Sequence, residues 1–479
     1  MSEAKRVLKN SGFIFFTNLF SKILTIILII VLARYLGVEG YGKLSFVLSF
    51  TGLFAVFGNF GLSLLLKRIV ARERDKVNYY FSNALVISTI LNILTFIVIM
   101  IFAWILRYEP YTIKLIFIGA LFVIFQNFKT PFQSVYEAFE RMHYVFWTRL
   151  SKVVLRLCLV LFFIYMQQGL EIILITYALV EFVMIFVDFW VYNKYIEKLR
   201  FKFETKLWKG MIKSAIPFGI AGVFMTIYDK IDVTMISKMV LNPDVAIGFY
   251  SSSYELMSSL MFIALAISGA LAPIAYRAFL NNKKKLIKIY TDSFKLFLIL
   301  SIPIAVGGTI LADKIIYLIY GVEYYGAIPS LKILIWATIF NFQMFAFGLA
   351  LNSINLEKET MKATIYSVIF NVVANLIFIP IYGYIAAAYT TVGSVFVYSA
   401  YCYIITQKKL VKVNLLKILA PIVTSSVLMG CAIYFLREYL HFIFLILIGV
   451  FIYFALLLLL KGIEIKEIKE LFLQIVNKN

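Results

Sequence analysis

Two lysines, Lys22 and Lys230, stand 208 residues apart, each in the middle of an apolar run. No other charge falls between Gly12 and Ala33, and Lys230 sits within Ile227-Tyr228-Asp229-Lys230-Ile231-Asp232. A cation at mid-membrane depth costs about 2.5–3.5 kcal/mol on insertion scales unless it faces a cavity or a partner, so it marks a functional site by default. A lysine ammonium is a compact point charge suited to phosphate, so a pair of them implies an anionic ligand. Lys129, after Gln126 and Asn127, is a third candidate cavity cation on a wet helix face. Asp229, Asp232 and Glu255 are candidate proton or sodium sites. Asp229 and Asp232 are three residues apart and share a helix face, while Lys230 projects about 100° away from Asp229. Local neutralisation of Lys230 by either acid, or a pair with Glu255, is the competing reading. Arg156 is expected to pair with Glu181 or Asp188, or to snorkel to the inner interface.

These residues require membrane helices to hold them. The chain is 62% hydrophobic and only 15% charged, with a mean hydropathy of +0.92, far from the composition of a soluble domain. Fourteen apolar spans are expected, roughly at 12–33, 43–66, 79–106, 114–135, 153–166, 172–193, 214–239, 247–275, 289–312, 328–354, 362–382, 383–406, 416–436 and 442–460. Apart from the short 153–166, each is long enough to cross a bilayer as helix, which takes about twenty residues. The net charge of +21 reads as topology rather than nucleic-acid binding. With both termini inside, 33 of the 46 Lys+Arg fall on the inner side, seven in outer loops and six within spans, a strong positive-inside bias. Two inner segments, 199–213 (with Lys202, Lys206, Lys209 and Lys213) and 463–479, are basic and amphipathic. They read first as ordinary positive-inside loops; the functional alternative is docking on anionic lipid or on a partner enzyme. Cys158, Cys402 and Cys431 all lie in apolar spans and read as small apolar side chains.

The 208-residue offset recurs. Gly40 matches Gly248, Gly61 matches Gly269, and Lys76 matches Lys284. Six spans separate the repeat starts, so the two halves share one orientation, a parallel repeat whose substrate site is expected between the lobes. The expected fold is therefore an all-α polytopic membrane protein. It has two pseudo-symmetric six-helix lobes, residues 1–213 and 214–407, and two added helices with a cytoplasmic tail, residues 408–479.

Catalytic chemistry has little footing. Gly37-Val38-Glu39-Gly40-Tyr41-Gly42-Lys43-Leu44 nearly matches a phosphate-binding loop, but Leu44 replaces the Ser/Thr that would hold magnesium, and the segment joins membrane helices. His143 and His441 are isolated, with no metal-ligand spacing. No catalytic residue, metal, cofactor or nucleotide is expected.

Ala33-Arg34-Tyr35-Leu36-Gly37-Val38-Glu39-Gly40-Tyr41-Gly42 resembles the "R-x-L-G-x-x-x-Y-G" signature of polysaccharide flippases. These are members of the multidrug/oligosaccharidyl-lipid/polysaccharide exporter superfamily. Arg34, Gly37, Tyr41 and Gly42 carry the motif. Ile216-Pro217, Tyr228-Asp229-Lys230-Ile231-Asp232 and Tyr320-Gly321-Val322-Glu323-Tyr324 extend the resemblance along the chain. It implies alternating access in the cell membrane and outward flipping of a polyprenyl-(di)phosphate-linked oligosaccharide. It also implies membrane lipids, the lipid-linked glycan and glycosyltransferases of the same pathway as partners. Drug exporters of the superfamily usually have twelve spans and an acid in the first, where this chain has Lys22. A cation-coupled drug antiporter using Asp229, Asp232 and Glu255, and a scaffold for glycosyltransferases, are the alternatives.

Overall fold

Lipid offers no partner to an open peptide group, so apolar runs of this length must close their hydrogen bonds as helices. The computed structural model of the chain describes residues 3–201, 204–281 and 283–463, and every regular element among them is helical. Twelve described stretches are long and apolar enough to cross a membrane. The first, Gly12–Arg72, contains two of the expected spans. The helix Met142–Tyr165 carries Arg149, Lys152 and Arg156 and supplies the fifth, so the fourteen expected spans each have a helix. That fifth span begins well before residue 153, which brings Lys152 into a membrane helix rather than an inner loop.

By packing, the chain divides into two compact units, residues 1–238 and 239–479. The first comprises α1 (Glu3–Asn59), α2 (Leu62–Arg72), α3 (Val77–Ile105), α4 (Pro110–Phe128), α5 (Thr130–Ala138), α6 (Met142–Tyr165), α7 (Leu170–Tyr195) and α8 (Thr205–Met239). Helix α8 is the seventh span, which the repeat would assign to the second lobe from residue 214; its packing groups it with the first unit. The close approach is possible because the facing residues are small. A methyl group at Gly219 would strike the Phe60 ring, and one at Gly222 would meet Val56 at 2.9 Å. The basic segment 199–213 is not a separate surface piece over its second half, because helix α8 already begins at Thr205. Lys202 and residues 464–479 lie outside the described residues.

Two glycines shape α1 and its continuation. The signature segment, expected as an outer loop, is helical except at Gly37, whose φ of 66° and ψ of −178° occur essentially only for glycine. Two membrane helices therefore meet at a single residue. The second break is at Phe60-Gly61, where Gly61 has φ 79° and lies against α8; a Cβ there would sit 2.7 Å from the Ala215 carbonyl oxygen. The repeat partner Gly269 lies inside an unbroken helix, so the sequence repeat is not matched in local geometry. Below the break, Phe81 stacks on Tyr192 at 4.4 Å and meets Phe132 edge-on at 4.9 Å, in a core shared with Leu66, Val70 and Tyr136.

The second unit comprises α9 (Pro243–Asn281), α10 (Lys283–Ile310), α11 (Ala312–Ile319), α12 (Ala327–Leu334), α13 (Ala337–Ser353), α14 (Glu357–Tyr382), α15 (Tyr384–Lys409), α16 (Leu415–Leu436) and α17 (Phe442–Leu459). Helices α14 and α15 are joined by Gly383 alone, at φ 63°. The two C-terminal helices share this unit's core: Ile422, Met429, Leu445 and Tyr453 pack with Phe294, Phe297 and Phe342, and the Tyr453 hydroxyl donates to the Ile299 carbonyl at 2.8 Å. Some amides at depth bond between helices: the Gln343 amide of α13 donates to the Phe294 carbonyl of α10 at 3.2 Å, whereas Asn375 donates to Asn371 of its own helix at 3.1 Å. Outward faces are apolar, with Trp104, Phe186 and Phe451 well exposed.

Candidate functional site

The first unit forms a half-open cavity of about 440 Å³. Five helices build it, four of them through residues three or four apart that share a face and α7 through one residue. Helix α1 contributes Thr25, Leu28 and Ile29 before its kink, and Leu48, Gly52 and Ala55 after it. Helix α4 contributes Phe122, Val123 and Gln126, α6 contributes Val153 and Arg156, and α7 contributes Tyr177. Helix α8 contributes Thr226, Asp229 and Lys230. The wall is mostly apolar with a few polar groups converging on it, the usual form of a ligand site. Two cations and one carboxylate reach it. Gly52 leaves room for the Lys230 stem, whose carbons would touch a methyl group there at 3.9 Å.

Behind Arg156 lies a buried ion cluster. Lys152 and Arg156, four apart on α6, face Glu181 and Asp188, seven apart on α7, which is the spacing that puts each pair on one side of its helix. Glu181 is fully buried and Asp188 is 1% exposed. The Glu181 carboxylate accepts from Arg156 Nη2 at 2.5 Å, lies 3.5 Å from Lys152 Nζ, and pairs with Lys129. The Arg156 guanidinium carbon stands 4.4 Å from the Tyr177 ring centre and 5.3 Å from that of Phe122, stacking geometry that adds a cation–π attraction. Three cations face two carboxylates, so the cluster carries one net positive charge, and the cation nearest the cavity is Arg156.

The sequence-expected residues divide accordingly. Lys230 and Asp229 line the cavity. Lys22 lies one helical turn before Thr25 on the same stripe of α1, half-buried and outside the cavity wall. Asp232 is buried on α8 away from the cavity lining. Glu255 lies in the second unit, on α9, half-buried. Lys129 does not join Gln126 on the cavity wall: it is 3% exposed, sits where α4 breaks into α5, and turns to Glu181. Asn127 likewise turns inward and donates to the Ala55 carbonyl at 2.7 Å. Arg156 makes its expected pair with Glu181 and also lines the cavity, a double placement the sequence reading did not foresee; Tyr177 and Lys152 were missed altogether. Of the signature residues, Gly37 makes the kink, Tyr41 and Gly42 are buried, and Arg34 is exposed.

A family model described as polysaccharide biosynthesis protein matches residues 7–279, more than half of the chain, and the MatE model matches residues 217–377. An uncharacterized membrane protein of Methanocaldococcus jannaschii is 23% identical over 467 residues, covering 90% of this chain and 91% of its own. A Haloferax volcanii protein named "Probable low-salt glycan biosynthesis flippase Agl15" is 24% identical over 180 residues, 37% of either chain. Among solved structures, the lipid II flippase MurJ in an inward closed conformation aligns with a TM-score of 0.75 at 18% identity, covering 92% of this chain and 97% of that one. The fold is thus shared with a lipid II flippase. The multi-pass membrane chain belongs to the polysaccharide biosynthesis protein family, as its signature segment led us to expect.

Proposed function

We propose that this protein flips a polyprenyl-(di)phosphate-linked oligosaccharide from the inner to the outer leaflet of the cell membrane by alternating access. The anionic head is held in the cavity of the first unit by Lys230 and Arg156, with Lys22 one turn along α1 from the cavity-lining Thr25 and Lys129 contributing from behind through the shared carboxylate. The prenyl tail stays in lipid. The observation that carries this reading is the meeting of two cations from separate helices, with a single carboxylate beside them, on one mostly apolar wall. Phosphate oxygens suit both groups, since guanidinium offers a planar fork and ammonium a point charge. With the cell interior negative, moving an anion outward is downhill by about 2.3 kcal/mol per charge per 100 mV. Return of an empty, positively charged cavity toward the inside is downhill too, so a membrane potential can drive both half-cycles without ATP.

The MatE match over residues 217–377, which includes Asp229, Asp232 and Glu255, favours one second reading, a cation-coupled drug antiporter. Proteoliposomes separate the two. Flipping of a fluorescent polyprenyl-diphosphate oligosaccharide, with no gradient-driven efflux of a cationic dye, is expected. Dye efflux that is lost in Asp229→Asn, together with absent lipid flipping, would overturn the flippase reading.

A further inference from the structure

We propose that Glu181 is the positioning residue of the cavity: it orients the Arg156 guanidinium so that one edge meets the carboxylate and the other is presented to a phosphate. This inference rests on the anion-binding reading above and adds to it the group that aims the arginine. The geometry is specific. One guanidinium nitrogen, Nη2, is taken by Glu181 at 2.5 Å, and the face is taken by Tyr177 at 4.4 Å. Two of the side chain's approaches are therefore fixed by α7, and the residue still lines the cavity. An arginine held on one edge and one face loses less rotamer freedom when an oxyanion takes the remaining donors, which is what preorganisation contributes to binding. Lys129 and Lys152 keep Glu181 charged and in place: the carboxylate is fully buried and takes all three cations.

Two accounts of the cluster predict opposite signs. If the cluster acts only through its net charge, removing the Glu181 charge makes the cavity wall more positive and an anion binds more tightly. If Glu181 positions Arg156, the same change weakens binding although the wall is more positive. The test is pyrophosphate binding to the purified full chain in detergent, by calorimetry, with thermal unfolding measured in parallel. We expect Glu181→Gln to bind pyrophosphate about tenfold more weakly. The double variant Glu181→Gln with Lys152→Met restores the cluster's net charge and is expected to recover thermal stability but not affinity. Glu181→Asp is expected to recover most of the affinity. In an Arg156→Gln background the Glu181→Gln change is expected to have no further effect on binding. Unchanged or tighter binding in Glu181→Gln, or affinity that returns with net charge in the double variant, overturns the positioning role. Unaltered binding in Arg156→Gln alone instead overturns the anion-binding reading beneath it. A second arm with a vesicle-borne polyprenyl diphosphate distinguishes a lipid head group from free phosphate: the same tenfold loss is expected in both, and a loss confined to free pyrophosphate counts against the lipid cargo.

Discussion

The ion cluster makes an asymmetric stability prediction. Glu181 is one carboxylate shared by three cations, whereas Lys129 is one of three donors. Removing one partner of a buried pair costs about 3–5 kcal/mol, because a charge is left buried without compensation. Glu181→Leu leaves Lys129, Lys152 and Arg156 facing only Asp188, so the full figure of about 3–5 kcal/mol is expected. Lys129→Met leaves Glu181 with Arg156 at 2.5 Å and Lys152 at 3.5 Å. It also relieves repulsion among the three cations and brings the cluster to neutrality. Only one of the three ion-pair contacts is lost, so its cost is expected at the low end of the range for a contact to a charged group, about 1.5 kcal/mol. The assay is equilibrium unfolding in mixed micelles followed by tryptophan fluorescence, with the two variants differing by about 1.5–3.5 kcal/mol in favour of Lys129→Met. Equal costs, or a larger loss in Lys129→Met, would refute the idea that one carboxylate organises the cluster.

Other outcomes follow from particular contacts. Gly61→Ala combines a left-handed φ of 79° with a Cβ 2.7 Å from the Ala215 carbonyl oxygen; a loss of about 2–4 kcal/mol is expected in the same unfolding assay. Gly37→Ala forces a side chain into a backbone region reserved for glycine and should cost about 1–3 kcal/mol, with a fall in folded yield by size exclusion. Topology is testable by labelling in a background lacking Cys158, Cys402 and Cys431: Glu109→Cys should react with an impermeant maleimide on intact cells, and Asp75→Cys only after permeabilisation, both positions being exposed. The reverse pattern would invert the orientation read from the positive-inside bias.

Much of the fold was legible because the bilayer leaves one solution to an apolar run of twenty residues. That each of the fourteen expected spans is helical followed from that constraint. The grouping of the seventh span was not legible: the repeat assigns it forward, but Gly219 and Gly222 let it pack against Phe60 and Val56 of the first unit. Of the candidate site residues, Lys230, singled out by its cost at depth, lines the cavity. Pairing of Arg156 with Glu181 was weighed as an alternative to cavity placement, and the structure has both. The polar neighbours Gln126 and Asn127 suggested one wet face for Lys129, and the helix break at Lys129 turns it to Glu181 instead. The spacing of Lys152 and Arg156 against Glu181 and Asp188 held the signal that would have found the cluster.

In the proposed cycle the half-buried Lys22 and Lys230 help carry an anionic lipid-linked glycan across the membrane. The direct measurement is the flipping rate of a fluorescent polyprenyl-diphosphate oligosaccharide in proteoliposomes containing the Lys22→Ala/Lys230→Ala double variant, beside Lys22→Arg/Lys230→Arg as the charge-preserving control. Two lost charge-assisted contacts of about 1.5–3 kcal/mol each predict a fall of at least a hundredfold in the alanine variant. The arginine control is expected to keep much of the wild-type rate. A wild-type rate in the double alanine variant, folded and inserted normally, would contradict the account.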